Sequence, residues 1–454
     1  MSDRGVRVLS CNGHLGFGKT RAPSFYNALE AGVDYLVSDA GSCDIGPGPL
    51  GSDGFVSPTE WVRHDLELML LAARERNLPM IIGSAGDAGS KAGVDKFVGI
   101  IKELAAKHDL PEFTIGYFYS DIDPALLTEA INAGVELEGL DDGPALTQED
   151  VDATTRAVAV ASAEPYLALL EMGADVIIGG RSSDCAVFAA AALHEGHPED
   201  LAFYLGKVLE CASFCAEPYG GKESIIGEVG PSWVDVTAMA DEQRCTPASV
   251  ASHAMYERSH PYFEAFAGGT IDMTECSYEQ ISEKTTRVTG SKVVPSPEYK
   301  IKIEGSGHVG TRFIGIAGIR DPYTIANLDT VIEWAREQVE ATFGTDGYEL
   351  HFHVYGRDAV LKDREPTPIA GHEVGVVIDA TDPDPERAEE ICMTATRQLF
   401  YARLPEVKGT AGGVAYLVDE VLKASDAYRW TVNHLLPVDD WRELFTPQLT
   451  SSTD

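Results

Sequence analysis

The chain has 454 residues, with 72 acidic against 35 basic side chains and a formal net charge of −37. A field of that sign repels nucleic acid and anionic membrane surfaces, so no nucleic-acid partner is expected; the acidic excess is spread along the chain and reads as a solvated surface. No apolar run reaches the length of a membrane span and MSDRGVRVLS is no signal peptide, so a cytoplasmic protein without membrane contact is expected, long enough for two domains.

Strand and helix signals alternate through the first 200 residues. Val6–Ser10 reads as a strand that runs into the loop Cys11–Gly18, and Pro23–Ala31 as a helix with proline in its first turn. Tyr35–Val37 is a strand ending at Asp39–Asp44, and Pro58–Arg76 a helix capped by Ser57. Met80–Ile82 leads into the glycine-rich Gly83–Ser90. Val94–Lys107 carries Val94, Phe97, Val98, Ile101 and Leu104 on one helical face. Phe113–Tyr119 is a strand, Asp150–Met172 one long helix behind a capping box at Thr147, Val176–Ile178 a strand ending at Gly179–Asp184, and Cys185–His194 a helix. Such alternation predicts an α/β domain over residues 1–290 with a doubly wound, mostly parallel sheet. Residues 201–290 read as mainly helical, Thr246 capping a helix over Pro247–Arg258. After the break at Val288–Pro297, paired strands at Tyr299–Glu304 and Gly310–Ala317, helices at Thr324–Phe343 and Pro385–Tyr401, and strands at Glu349–Tyr355 and Val374–Asp379 predict a second, smaller α+β domain over residues 291–454.

In an open parallel sheet, loops at the carboxyl ends of strands share one edge, where glycine lets backbone amides approach a ligand. That places Asn12, Gly13, Gly16, Gly18, Ser42, Gly83, Ser84, Gly86, Arg181, Ser182 and Ser183 around one site for a small anionic substrate. Arg181 suits bidentate capture of a carboxylate or phosphate. Asp39, Asp44 and Asp184 are the candidate acid–base catalysts. Turn chemistry explains Asp39 and Asp44 equally well, and a place in a helix's first turn explains Asp184. Gly13–Thr20 also satisfies the phosphate-loop pattern G-x-x-x-x-G-K-[ST] with Lys19, which opens a nucleotide-dependent alternative.

Eight cysteines show neither a C-x-x-C pair nor a zinc-finger spacing. Cys245 opens a helix bearing His253 and Glu257, a conceivable nucleophile set against the commoner buried, inert thiol. His351 and His353 share a strand face without a third ligand nearby, so no metal site is assigned. With no redox-cofactor fingerprint and no serine triad, the residues favour a lyase that adds or removes water across a C–C bond. The alternatives are the nucleotide enzyme and a non-catalytic acyl-CoA-binding subunit.

Several segments together are distinctive: Leu15-Gly-Phe-Gly18, Asp39–Asp44, Gly83–Gly86, Gly180-Arg181 with Asp184, Gly206–Cys211 with Cys215–Pro218, Arg244–Thr246, Ser249–His253, Ile316–Pro322 and His372–Gly375. Through them the chain resembles the acyclic terpene utilisation (AtuA) family. The resemblance implies a catabolic protein linked with breakdown of branched acids as CoA thioesters, CoA entering as part of the substrate. It also implies a homo-oligomer or a small companion subunit, because relatives carry an extra C-terminal module that is not recognisable before Asp454. The family pattern has no fixed lysine at position 19, which counts against the phosphate-loop reading.

Overall fold

The structure is a computed structural model that describes residues 5–140, 142–257, 260–409, 412–418 and 421–454. Its contacts divide the chain into Met1–Gly307 with Trp430–Asp454, and His308–Arg429. The division thus falls at 307/308 rather than 290/291, and the C-terminal strand segment returns to the first unit.

In the first unit, strands Val6–His14, Tyr35–Asp39, Met80–Ile82, Val176–Ile178 and Thr114–Tyr117 lie side by side in that order, all paired in parallel. Their side chains alternate between two cores. Val8, Val37, Ile81 and Ile177 meet Leu169, Val187 and Leu205 of helices Glu164–Glu171, Asp184–His194 and Glu199–Leu209. Leu9, Leu36, Ile82 and Ile178 meet Phe25, Leu66 and Ile101 of helices Ala22–Ala31, Thr59–Arg76 and Lys91–Lys107.

The complete sheet corrects the expected mostly parallel, doubly wound one. Ile225–Val229, Val234–Ala238, Thr285–Thr289 and Ser277–Gln280 extend it antiparallel from Val6–His14, and Gln448–Ser451 closes the far edge antiparallel to Thr114–Tyr117. Among the described residues, five of its nine pairings are antiparallel and four parallel, so the sheet is mixed. The expectation of a mainly helical 201–290 fails on β-branched alternation: Val-Asp-Val-Thr-Ala at 234–238 and Thr-Thr-Arg-Val-Thr at 285–289 suit a pleated surface. The long helix expected over Asp150–Met172 is two helices, Gln148–Asp152 and Glu164–Glu171, with strand Arg156–Ala159 between them. Pro165 sits in the first turn of the second helix, where its missing N–H costs nothing. The helix from Pro247 ends at Ala254, and Arg258 lies outside the described residues.

A three-stranded antiparallel sheet, Phe263–Phe266, Gly269–Asp272 and Lys292–Pro295, and the first residues of the long strand Lys300–Ile319 complete the walls of the site described below. The second unit is an α+β body. In it, residues 308–319, Val374–Asp382 and Glu349–Tyr355 pair antiparallel, and helices Leu328–Phe343 and Pro385–Tyr401 bury Val331, Val339, Ile391 and Leu399 on the sheet. No helix among the described residues is long and apolar enough to cross a membrane.

Candidate functional site

A cleft of about 480 Å³ opens in the first unit, a size that suits a small organic ligand. Its walls come from six places. The loop after Tyr35–Asp39 supplies Ser42, Cys43 and Asp44, and the loop after Val176–Ile178 supplies Arg181 to Cys185. Lys207 comes from the last turn of helix Glu199–Leu209 and Glu210 from just past it, Tyr256 and Glu257 follow helix Pro247–Ala254, and Glu264 and the strand bearing Lys302 and Glu304 close the remaining side.

Arg181 is only 5% exposed, and its guanidinium is already occupied. Nε donates to Glu304 Oε2 at 2.9 Å and Nη2 to Oε1 at 3.4 Å; Nη1 donates to the Gly41 carbonyl at 3.3 Å and Ser84 Oγ at 3.4 Å. Lys302 Nζ lies 2.7 Å from the same Glu304 carboxylate. Burial works to raise the Glu304 carboxyl, but Arg181 and Lys302 outweigh it and hold it down at about 2. The expectation that Arg181 offers a free fork to a ligand is therefore corrected: Glu304, 123 residues away in sequence, takes that fork.

Asp184 stands at the first position of helix Asp184–His194, its Oδ1 3.7 Å from Arg181 Nη1. Its side chain remains 42% accessible to the cleft. Loss of solvation raises its carboxyl above the ordinary carboxylate range, against the opposing charges of Arg181 and Lys207. Asp39 sits behind the cleft wall, 2% exposed, with Oδ1 lacking a hydrogen-bond partner. Burial and then the Asp184 charge push its carboxyl well up, which favours the neutral acid. Gly83 makes this arrangement fit, since a Cβ there would lie 2.7 Å from Asp39 Oδ1 and 2.4 Å from Val187. Asp44 is exposed at the rim, its N–H donating to Ser42 Oγ at 3.1 Å.

Opposite lies a second charged cluster. Lys207 Nζ is 2.5 Å from Glu210 Oε1 and 3.8 Å from Glu264, and sits 4.5 Å from the centre of the Tyr256 ring. The Tyr256 hydroxyl donates to Glu210 Oε1 at 3.1 Å and lies 3.0 Å from Cys211 Sγ, while the buried His253 ring stacks on Tyr256 at 4.7 Å. Burial pushes the Glu210 carboxyl up to about 7 despite Lys207.

The other expected residues divide by what they touch. Ser182 and Ser183 line the cleft, but Ser182 Oγ is bound to Tyr166 Oη at 2.6 Å and Ser183 Oγ lies 3.3 Å from Cys185 Sγ. Ser84 Oγ accepts from the Ser182 N–H at 3.2 Å, so it braces the loop. Gly86 permits close packing against Gly93 and Phe55. The first loop does not line the cleft. Asn12 Nδ2 donates to Thr20 Oγ1 and Asp65 Oδ2, both at 2.8 Å, and the Thr20 N–H donates to Asp65 Oδ1 at 2.9 Å. Lys19 points to an exposed surface, Gly16 packs on Ser57 and Gly18 on Lys222. Gly13 instead underlies the site, against the backbone of Glu210 and Cys211. Cys245 is fully buried outside the cleft, and contact with Cys215 together with burial pushes its thiol up, as for an inert core cysteine. His253 joins the Glu210 cluster, and Glu257 lines the cleft with φ of 54°.

Sequence reasoning missed Lys207, Glu210, Tyr256, Glu264, Lys302 and Glu304 as site residues. A signal existed for the first pair: Lys207 and Glu210 stand three residues apart where the apolar run Leu201–Leu209 of the helix ends, and charges at such a place are not left unpaired in a core.

The family model described as "Acyclic terpene utilisation family protein AtuA" matches residues 6–432. The chain belongs to the AtuA family. Membership points to a catabolic role in acyclic terpene utilisation. No curated protein and no solved structure matches this AtuA-family chain.

Proposed function

We propose that this AtuA-family protein is a lyase that adds or removes water across a C–C bond of a small carboxylic acid or its acyl-CoA thioester. The supporting observation is Asp184, an accessible carboxyl raised above its ordinary range in a cleft walled by charged groups. In the elimination direction, the Asp184 carboxylate takes the proton α to the substrate carbonyl. The Lys207 ammonium and the N-terminus of helix Asp184–His194 stabilise the enolate charge, and hydroxide leaves with a proton from a cleft acid. Arg181, held by Glu304, favours the ionised form of Asp184 by its charge. A homo-oligomer, or assembly with a small companion subunit, belongs to this reading. Nothing in the geometry favours the nucleotide alternative, because Asn12 and Thr20 are engaged with Asp65.

The test follows solvent deuterium at Cα and loss of the conjugated double bond for short branched unsaturated acids and their CoA thioesters. Removing a general base typically costs about 10²–10⁴-fold in rate, so Asp184→Asn is expected to lose that much while melting normally. Wild-type ligand-induced stabilisation without exchange or hydration would favour the binding-subunit reading instead, and full activity in Asp184→Asn would overturn the mechanism.

A further inference from the structure

Glu210, Cys211 and His253 bring together a donor set that sequence spacing hides. Glu210 and Cys211 are neighbours where helix Glu199–Leu209 ends, and His253 comes from the last turn of helix Pro247–Ala254. One carboxylate oxygen, the Cys211 Sγ and one imidazole nitrogen all lie within 4.8 Å of one another. His253 is 5% exposed and Glu210 nearly as buried, so the set is held by the fold and not by flexible surface chains.

An oxygen, a sulfur and a nitrogen donor are the mixture that borderline divalent ions such as zinc accept. Three protein ligands leave a coordination position open, the pattern of catalytic zinc sites as opposed to closed structural ones. Here that position has somewhere to face, because Glu210 and Tyr256 both line the cleft. The Tyr256 hydroxyl, within 3.1 Å of both Glu210 and Cys211, is placed to contact a water held there. The backbone beneath is tightly fixed: a Cβ on Gly13 would come 2.7 Å from the Glu210 carbonyl oxygen and 2.8 Å from Cys211 Cα.

We propose that Glu210, Cys211 and His253 form a binding site for one divalent transition-metal ion of the zinc class on the wall of the cleft. Binding replaces the Cys211 S–H bond by a metal–sulfur bond, and the thiol proton goes to solvent. The ion then shares with Lys207 the task of neutralising Glu210.

The experiment uses the full chain, stripped with a chelator, dialysed and titrated with Zn(II) or Co(II). Metal content and the Co(II) absorption spectrum are the readouts, so the outcome is independent of whether the lyase assay succeeds. The expected result is stoichiometric binding of one ion per chain, with a thiolate-to-cobalt charge-transfer band and the intense visible bands of tetrahedral cobalt. Cys211→Ser should lose the charge-transfer band, and His253→Ala should weaken binding at least ~100-fold, the upper range for lesser changes around a metal site. Cys245→Ser, a buried thiol outside the cluster, should keep the band and serves as the folding control. Sub-stoichiometric metal in the wild type, or a band that survives Cys211→Ser, would overturn the site.

Discussion

Glu304→Gln tests whether the floor of the cleft is organised as the structure implies. Glu304 is 3% exposed, accepts two hydrogen bonds from Arg181 and faces Lys302 at 2.7 Å. Its carboxyl is held at about 2 against an ordinary 4.5, a gap equivalent to on the order of 3 kcal/mol of folding stability. Removing one partner of a buried ion pair costs roughly 3–5 kcal/mol by mutation, so both routes give the same scale. Glutamine keeps the volume and one acceptor, which places its expected penalty at the lower end, about 3 kcal/mol at pH 7. The sign in pH follows from a depressed acid. The stabilisation is complete above about 4.5 and is lost as pH falls towards 2. Chemical denaturation of the wild type and Glu304→Gln between pH 7 and pH 3 should therefore show two curves converging on acidification. A penalty under about 1 kcal/mol at pH 7, typical of an exposed pair, or a pH-independent gap would refute the buried clamp.

Asp39→Asn should be neutral or stabilising at pH 7, because a buried acid whose carboxyl is raised withdraws stability as pH climbs through its range; a clear fall in melting temperature would show that its charge is needed. For turnover, the acid limb of kcat/KM should lie above the ordinary carboxylate range, since Asp184 must lose its proton to act as base and its carboxyl is raised. A limb at or below pH 4 would remove it from that role. Lys19→Ala should leave both ligand binding and any catalysis untouched, as its side chain is exposed and its loop closes on Asp65; loss of binding would revive the phosphate-loop reading.

The parts of the molecule legible from sequence were those with strong local period: the five parallel strands, four of the six helices packed on them, and the strand-end loops that carry Asp44, Arg181 and Asp184. What escaped was fixed by distant partners. Arg181 looked like a ligand holder because its counter-charge, Glu304, lies on a strand whose neighbours in sequence gave no hint of that contact. Glycines 16, 18 and 86 looked like ligand-facing gaps, but each is small because another segment packs there. Cys211 and His253 were not read as one set, because donors split over two helices have no characteristic spacing; His253 was paired with Cys245 instead. The antiparallel half of the main sheet was missed for a subtler reason: short β-branched runs such as 234–238 sit among helix-like neighbours, and only pairing partners decide between the two.

Gly13 shows how a motif can be right about the residue and wrong about the reason. Its φ is 76°, a region L side chains rarely enter, and a Cβ would lie 2.7 Å from both the Glu210 carbonyl oxygen and the Cys211 carbonyl carbon. Gly46 has a similar φ of 86° but nothing within 4 Å of its added Cβ. Alanine at either position incurs the backbone cost, roughly 1–2 kcal/mol; only at position 13 must backbone also move. Gly13→Ala should therefore destabilise by at least about 1–3 kcal/mol more than Gly46→Ala, the usual cost of overpacking. It should also weaken Co(II) binding at Glu210 and Cys211, which a purely local turn defect would leave alone. Equal effects of the two substitutions on both readouts would mean that the loop does not support the cluster.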